Sequence, residues 1–144
     1  MAENEIIWNY AYLWESIAAA QPDEAAIIQG DTVVSWAEFD RQADALAAYM
    51  VGEGLGQKAS VAMYTPNRPE FLVGYYASFK AALTPLNINY RYTSAELAYL
   101  IDNADAEVVL FDIEYAATIE AVRETLGTVK RWIAAGVGDA ECPD

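Results

Sequence analysis

Two short segments carry the side chains best suited to contact a polar ligand. They combine amide, hydroxyl and guanidinium groups and comprise Thr65, Asn67 and Arg68 in one segment and Asn87, Asn89, Tyr90, Arg91 and Tyr92 in the other. Each segment follows an apolar run that is typical of a buried strand. Ligands of open parallel α/β sheets bind outside the carboxyl ends of the strands. We therefore expect both segments to lie at that edge and to make supporting contacts there.

A purely structural role for the same residues is the alternative that we favour. Asn67 and Thr93 are suited to cap helices, and the Asn-rich run at 87–92 can satisfy its own backbone in turns. We accordingly assign no catalytic, cofactor-binding or metal-ligating residue to this chain.

The familiar catalytic patterns are missing from the sequence. It contains no histidine, which removes the commonest general base and the usual zinc ligand. No GxxxxGK[ST], GxSxG or HExxH pattern occurs. Gly52, Gly54 and Gly56 follow a predicted helix and precede a strand, whereas a phosphate loop follows a strand and opens a helix. These glycines are predicted to end a helix.

Composition limits the classes of partner. Eight Lys and Arg residues face 22 Asp and Glu residues, for a formal charge of −14. Nucleic acid and anionic membranes both require a basic face, so we expect neither as a partner. Cys142 has no second cysteine to pair with, and the N-terminus lacks the basic segment of a signal peptide. A cytoplasmic protein is expected.

Apolar periodicity predicts an α/β fold. A helix, a two-stranded antiparallel hairpin and a second helix come first, and strand and helix then alternate from residue 59, which predicts a parallel sheet with helices on both faces, three layers in all. The predicted strands are 25–28, 32–36, 59–64, 83–87, 107–111 and 131–135, and the predicted helices are 10–17, 36–50, 71–79, 93–104 and 119–126. Ser35 with Glu38 and Thr93 with Glu96 have the spacing of a capping box at the start of the second and fourth helices. One domain over residues 1–144 is expected.

Five features in register resemble the opening of acyl-CoA synthetases and related adenylate-forming enzymes. They are a hairpin leading into 35–39, the Asn-x-Pro-Glu-Phe pattern at 67–71, the Pro85-Leu86-Asn87 element, the helix at 93–100 and the strand after it. The stretch from Asn89 to Asp112 looks most like the bacterial fatty-acyl-CoA synthetases. Ala82 departs from the pattern, because the family usually has glycine there, and this suggests a slightly different junction between helix and strand.

The resemblance implies a ligase that activates a fatty acid with ATP to an acyl-adenylate and then transfers the acyl group to CoA. ATP, Mg²⁺ and CoA are implied for the whole enzyme, and the residues that bind them lie beyond the matched region. The chain is therefore expected to be an inactive N-terminal part of the large domain, cut from its parent by truncation or proteolysis. Its partners would be the rest of that enzyme and a second copy that covers exposed apolar surface. A free-standing small-ligand-binding module and a non-catalytic interaction domain are the two alternatives.

Overall fold

The structure, a computed structural model, describes residues 9–136, so that Cys142 lies outside the described part. The helices are α1 (Tyr10–Ala20), α2 (Trp36–Gly52), α3 (Pro69–Lys80), α4 (Ser94–Asn103) and α5 (Ala116–Arg123), and a 3₁₀ turn (Ile113–Tyr115) precedes α5. The strands are β1 (Ala25–Gln29), β2 (Thr32–Ser35), β3 (Ser60–Tyr64), β4 (Thr84–Asn87), β5 (Ala106–Asp112) and β6 (Arg131–Ala135). No helix among the described residues is long and apolar enough to cross a membrane.

Four parallel strands form the central sheet in the order β4-β3-β5-β6. The inner strands β3 and β5 are almost entirely buried, as expected for strands that are covered on both faces. Pro85 cannot donate a backbone hydrogen bond, and it lies in β4, at the sheet edge. The predicted parallel sheet is confirmed.

Helices cover the sheet on both faces and complete the three predicted layers. Val61 and Met63 of β3 face α2 and α3, whereas Ala62 and Tyr64 face the other way, because side chains alternate along a strand. The first core is built chiefly from Phe39, Ala43, Met50, Val61, Met63, Tyr76, Val108 and Leu110. The second is built chiefly from Ala62, Tyr64, Leu97, Ile101, Val109, Phe111, Ile119 and Val122.

The predicted hairpin is a separate two-stranded antiparallel sheet. Gly30 turns the chain with φ at +56°, a left-handed conformation that glycine adopts without steric cost. Ile28 pairs with Val33 across the hairpin, and both side chains are largely exposed. The homodimer that would cover such apolar surface stays a prediction.

Lys80 joins the three helices that cover the first face. Its ammonium lies 2.9 Å from the Glu15 carboxylate of α1 and 2.9 and 2.6 Å from Asp40 and Asp44 of α2, and its side chain is only 7% exposed. Burial alone would lower the pKa of Lys80, but hydrogen bonds to the three carboxylates outweigh it and raise the pKa. Lys80 therefore stays charged, and its contribution to stability is lost only when the pH rises through that raised pKa.

The helix starts agree with two of the three predicted caps. The Ser35 hydroxyl accepts a hydrogen bond from the Glu38 amide, and Thr93 forms a complete capping box with Glu96. The Glu38 carboxylate binds Arg41 and Gln42 instead of completing a box, and these bonds lower its pKa to about 2.

Two expectations about individual elements were wrong, and one element was missed. The N-cap residue of α3 is Arg68, without a side-chain cap bond, so Asn67 does not cap it, because Pro69 and Glu70 already belong to the first turn. The 3₁₀ turn was not predicted. Helix α5 lies at 116–123 and not at 119–126, because the turn leads directly into its first residue.

The two confirmed caps give the first prediction. Ser35→Ala and Thr93→Ala should each lower the free energy of unfolding by about 1 kcal/mol, because each removes the acceptor of an otherwise unpaired helix amide. Urea denaturation of each variant measures the change. Ser94→Ala, inside the first turn of α4, is the control, and equal midpoints for all four proteins would contradict the assigned helix starts.

The junction between α3 and β4 gives the second prediction. Ala82 follows the end of α3 in the left-handed conformation, with φ at +56°. An alanine side chain is strained there by about 1–2 kcal/mol. Ala82→Gly should raise the free energy of unfolding by about 0.5–1 kcal/mol, since the relief of strain exceeds the extra entropy of an unfolded glycine.

The neighbouring alanine is the matched control for this junction. Ala81 has an ordinary right-handed backbone, with φ at −82°, so Ala81→Gly should lower stability. Thermal and urea unfolding compare the two variants with the parent chain. A loss of stability in both would mean that Ala82 is not strained.

Candidate functional site at the carboxyl edge of the sheet

The two loops that carry the predicted ligand-contacting residues lie together at the carboxyl edge, the edge of the sheet where the four parallel strands end. The hydroxyl of Tyr64, the last residue of β3, donates a 3.0 Å hydrogen bond to the Tyr92 carbonyl in the loop after β4. The parallel pairing of β3 with β4 fixes this arrangement. The prediction that both loops share this edge is confirmed.

Most of the predicted polar residues stabilise these loops themselves. Thr65 is buried, and its hydroxyl bonds to the neighbouring Pro66 carbonyl. The Asn67 carbonyl accepts a 2.7 Å bond from the Gln29 amide of the hairpin. The Asn89 side chain accepts a 3.0 Å hydrogen bond from the Arg91 backbone amide. This bond forms the local turn that the purely structural interpretation predicts. Asn87 is exposed at the end of β4.

Arg68 bridges the loop after β3 and the loop after β5. Its guanidinium lies 3.2 Å from the Asp112 carboxylate and 3.0 Å from that of Glu114. The chain leaves β3 toward α3 on one face and leaves β5 toward α5 on the other. Diverging connections of this kind open a crevice in which open α/β sheets bind ligands. Arg68 and Asp112 meet across that crevice.

Three tyrosines form a row along the carboxyl edge. The Tyr115 ring lies between the rings of Tyr64 and Tyr90, with centroid separations of 5.2 and 6.2 Å. The Arg91 guanidinium stands over the Tyr90 ring, 5.6 Å from its centroid, in the position of a cation–π contact. Burial raises the pKa of Tyr64 and of Tyr115, so both rings stay neutral well above neutral pH.

Arg91 differs from most of the basic residues in its surroundings. All eight Lys and Arg residues lie within residues 9–136, and six of them form ion pairs with carboxylates, namely Arg41, Arg68, Lys80, Arg123, Lys130 and Arg131. Within those residues, Arg91 has no carboxylate within ion-pair distance. It is exposed, while the Asn89 turn and the Thr93 capping box fix the backbone on both sides of it.

A shallow apolar groove of about 400 Å³ adjoins the edge. It lies between the hairpin and the start of α3 and is lined by Ile27, Ile28, Gln29, Asn67, Arg68, Phe71 and Leu72. Two of these lining residues, Gln29 and Asn67, share the hydrogen bond that ties the hairpin to the loop after β3.

Comparison with known proteins then decides the family. The model of the AMP-binding enzyme family matches residues 14–142, nearly the whole chain. This chain belongs to the AMP-binding enzyme family. The resemblance drawn from the five sequence features is thereby confirmed.

Individual members of the AMP-binding family agree with this assignment. A medium/long-chain-fatty-acid–CoA/3-oxocholest-4-en-26-oate–CoA ligase of Mycobacterium marinum is 33% identical over 122 residues, covering 85% of this chain and 22% of the relative. The medium-chain acyl-CoA ligase Mig of Mycobacterium avium is 29% identical, with 85% and 24% covered. The structure of the N-terminal domain of FACL13 from Mycobacterium tuberculosis superposes with a TM-score of 0.83 at 23% identity, covering 95% of this chain and 38% of that one.

The chain thus spans about a quarter or less of the length of these two curated relatives. The described residues offer no ready-made multi-carboxylate site for the Mg²⁺ ion that the family resemblance implies. Between Asn9 and Gly136 no group of three or more Asp, Glu, His or Cys side chains is arranged to hold a metal ion. The Asp112 and Glu114 carboxylates form ion pairs with Arg68.

Sequence reasoning missed the residues at the end of β5. Asp112, Glu114 and Tyr115 complete the carboxyl edge, yet only the loops after β3 and β4 were selected. The sequence does contain an indication of Asp112, because this residue directly follows the apolar run of the clearest strand. Ligands of parallel sheets bind at the carboxyl ends of the strands, and this rule selects Asp112 when it is applied to β5 as well as to β3 and β4.

Proposed function

We propose that this chain is the N-terminal part of the large domain of a fatty-acyl-CoA ligase. In that reaction a carboxylate attacks ATP, pyrophosphate leaves, and the CoA thiolate then displaces AMP from the acyl-adenylate. The family match over residues 14–142 carries the proposal. The names of the relatives, both acyl-CoA ligases, support fatty acids as the substrate class.

The chain alone is proposed to be inactive. Catalysis of phosphoryl and adenylyl chemistry depends on cationic groups that stabilise developing negative charge. Most of the basic side chains here are already paired with carboxylates, and the sequence has no phosphate loop. ATP and Mg²⁺ are therefore assigned chiefly to the rest of the enzyme, which is the partner of this chain in a cytoplasmic protein.

Arg91 is the residue of this chain that we propose to contact a substrate. A guanidinium stacked on an aromatic ring and free of carboxylates is suited to bind a phosphate oxyanion. The backbone on both sides of it is fixed, so little entropy is lost on binding. ATP and CoA both carry phosphates, and kinetics can separate the two.

The third prediction concerns the chain as it stands. It should show no fatty-acid-dependent exchange of labelled pyrophosphate into ATP above a mock-purified control. A longer protein that contains this chain and has the full length of its relatives should show exchange under the same conditions. Exchange by the 144-residue chain would overturn the assignment of the catalytic groups to the rest of the enzyme. A gene that stops at residue 144 would favour the free-standing module or the interaction domain.

The fourth prediction concerns Arg91 in the longer enzyme. Arg91→Gln should raise the KM for one phosphate-bearing substrate about tenfold, as expected for the loss of one charge-assisted hydrogen bond. A rise in the KM for CoA alone would identify CoA as the ligand, and a rise for ATP alone would identify ATP. The KM for the fatty acid should not change.

Lys58 supplies the matched control. It precedes β3 at the opposite edge of the sheet, and like Arg91 it has no carboxylate within ion-pair distance among the described residues. Lys58→Gln removes the same charge and should leave each KM unchanged. Equal effects of the two variants would mean that net charge, and not a contact at Arg91, governs binding.

A further inference from the structure

Arg68 closes the 3₁₀ turn that follows β5. One of its nitrogens binds the Asp112 carboxylate just before the turn, and the other binds Glu114 inside it. Asp112 also accepts a 2.9 Å bond from the Glu114 amide. Three contacts therefore hold a turn of three residues. The hydrogen bond to Glu114, followed by the nearby acidic charges, raises the pKa of Arg68, which stays charged at any ordinary pH.

Asp112 is the buried member of this group. It is 1% exposed, whereas Glu114 lies in solvent. A buried carboxylate is costly unless it is paired and hydrogen-bonded, and Arg68 and the Glu114 amide supply both conditions. Loss of the Arg68–Asp112 pair should therefore destabilise the turn more than loss of the Arg68–Glu114 pair.

The turn ends at Tyr115, the middle ring of the tyrosine row. Tyr115 contacts Tyr64 on one side and Tyr90 on the other, and Tyr90 lies under Arg91. A displacement of the turn would move Tyr115 and remove the support of the Tyr90 ring. A continuous set of contacts thus runs from Arg68 to Arg91 along the carboxyl edge.

We propose that Arg68 and Asp112 are positioning residues that hold the 3₁₀ turn, and through Tyr115 and Tyr90 the Arg91 guanidinium, in place for the anionic substrate. This inference rests on the proposed contact of Arg91 with a phosphate. Neither residue touches the substrate. They act by keeping Arg91 in one orientation.

A simple contribution to stability is the competing explanation, and a double-mutant cycle separates the two. Asp112→Asn keeps the shape of the side chain and an acceptor for the Glu114 amide but removes its charge. In the longer enzyme, Asp112→Asn should raise one KM by about fivefold or more, with little change in kcat. The substrate concerned should be the one whose KM also rises in Arg91→Gln. In the Arg91→Gln background the same change should have no further effect on that KM.

Two further variants keep the test decisive. Arg68→Lys retains the charge but not the two-pronged geometry, so it should show a smaller rise in the same KM, and it replaces Asp112→Asn if that variant does not fold. Lys130→Met breaks a half-exposed ion pair with Glu107 at the far end of β5, so it should lower stability by at most about 1 kcal/mol and change no KM. Thermal unfolding of each variant records the loss of stability separately.

The 144-residue chain provides an independent measurement. Contacts between the ring protons of Tyr115 and Tyr90, observed by NMR, should weaken in Asp112→Asn and persist in Lys130→Met. Persistent ring contacts in Asp112→Asn, or additive effects on KM in the cycle, would overturn the positioning role. If Arg91→Gln leaves every KM unchanged while the ring contacts are lost, the phosphate contact is wrong and the support of the turn stands.

Discussion

The parallel alignment of β3 with both of its neighbours is the constraint on which the rest of the molecule depends. Parallel strands end at one edge, so three loops distant in sequence are brought together there. Because α3 and α5 lie on opposite faces, the loops after β3 and β5 diverge and leave a crevice between them. The residues that the proposals concern, Arg68, Arg91 and Asp112, lie at that edge.

Charge is the second constraint, because acidic residues outnumber basic ones by 22 to 8. Two of its few cations lie where several carboxylates converge. Lys80 holds acidic groups from α1 and α2, and Arg68 holds two at the carboxyl edge. Tyr76 adds to the first group, since its buried hydroxyl donates to Asp40 and its ring lies 4.7 Å from the Lys80 ammonium. These two cations thus link different elements of a protein with a large net negative charge.

The apolar periodicity of the sequence was sufficient to predict the three layers and the parallel sheet. A strand that is buried on both faces has a continuous apolar run, and β3 is an example. It also located the loops after β3 and β4. Long-range side-chain pairing could not be predicted in this way. Nothing local marks Arg68 as the partner of Asp112, 44 positions later in the chain, or Lys80 as the partner of Glu15. The start of α3 could not be located from residue type alone either. Asparagine is suited to cap a helix, but α3 begins one residue too late for Asn67 to be its N-cap.

An acidic protein can bind an anion at this edge if nearby cations lower the local negative charge. Screening at physiological salt reduces interactions beyond about 8 Å, so carboxylates farther away than that matter little there. At this edge Asp112 and Glu114 are paired with Arg68, whereas the Glu96 carboxylate is bound only by the neutral Thr93 amide and hydroxyl and keeps its charge. Arg68 therefore has two effects on the same site. In the proposed arrangement it fixes the turn that carries Tyr115, and its single positive charge partly offsets the two carboxylates beside it.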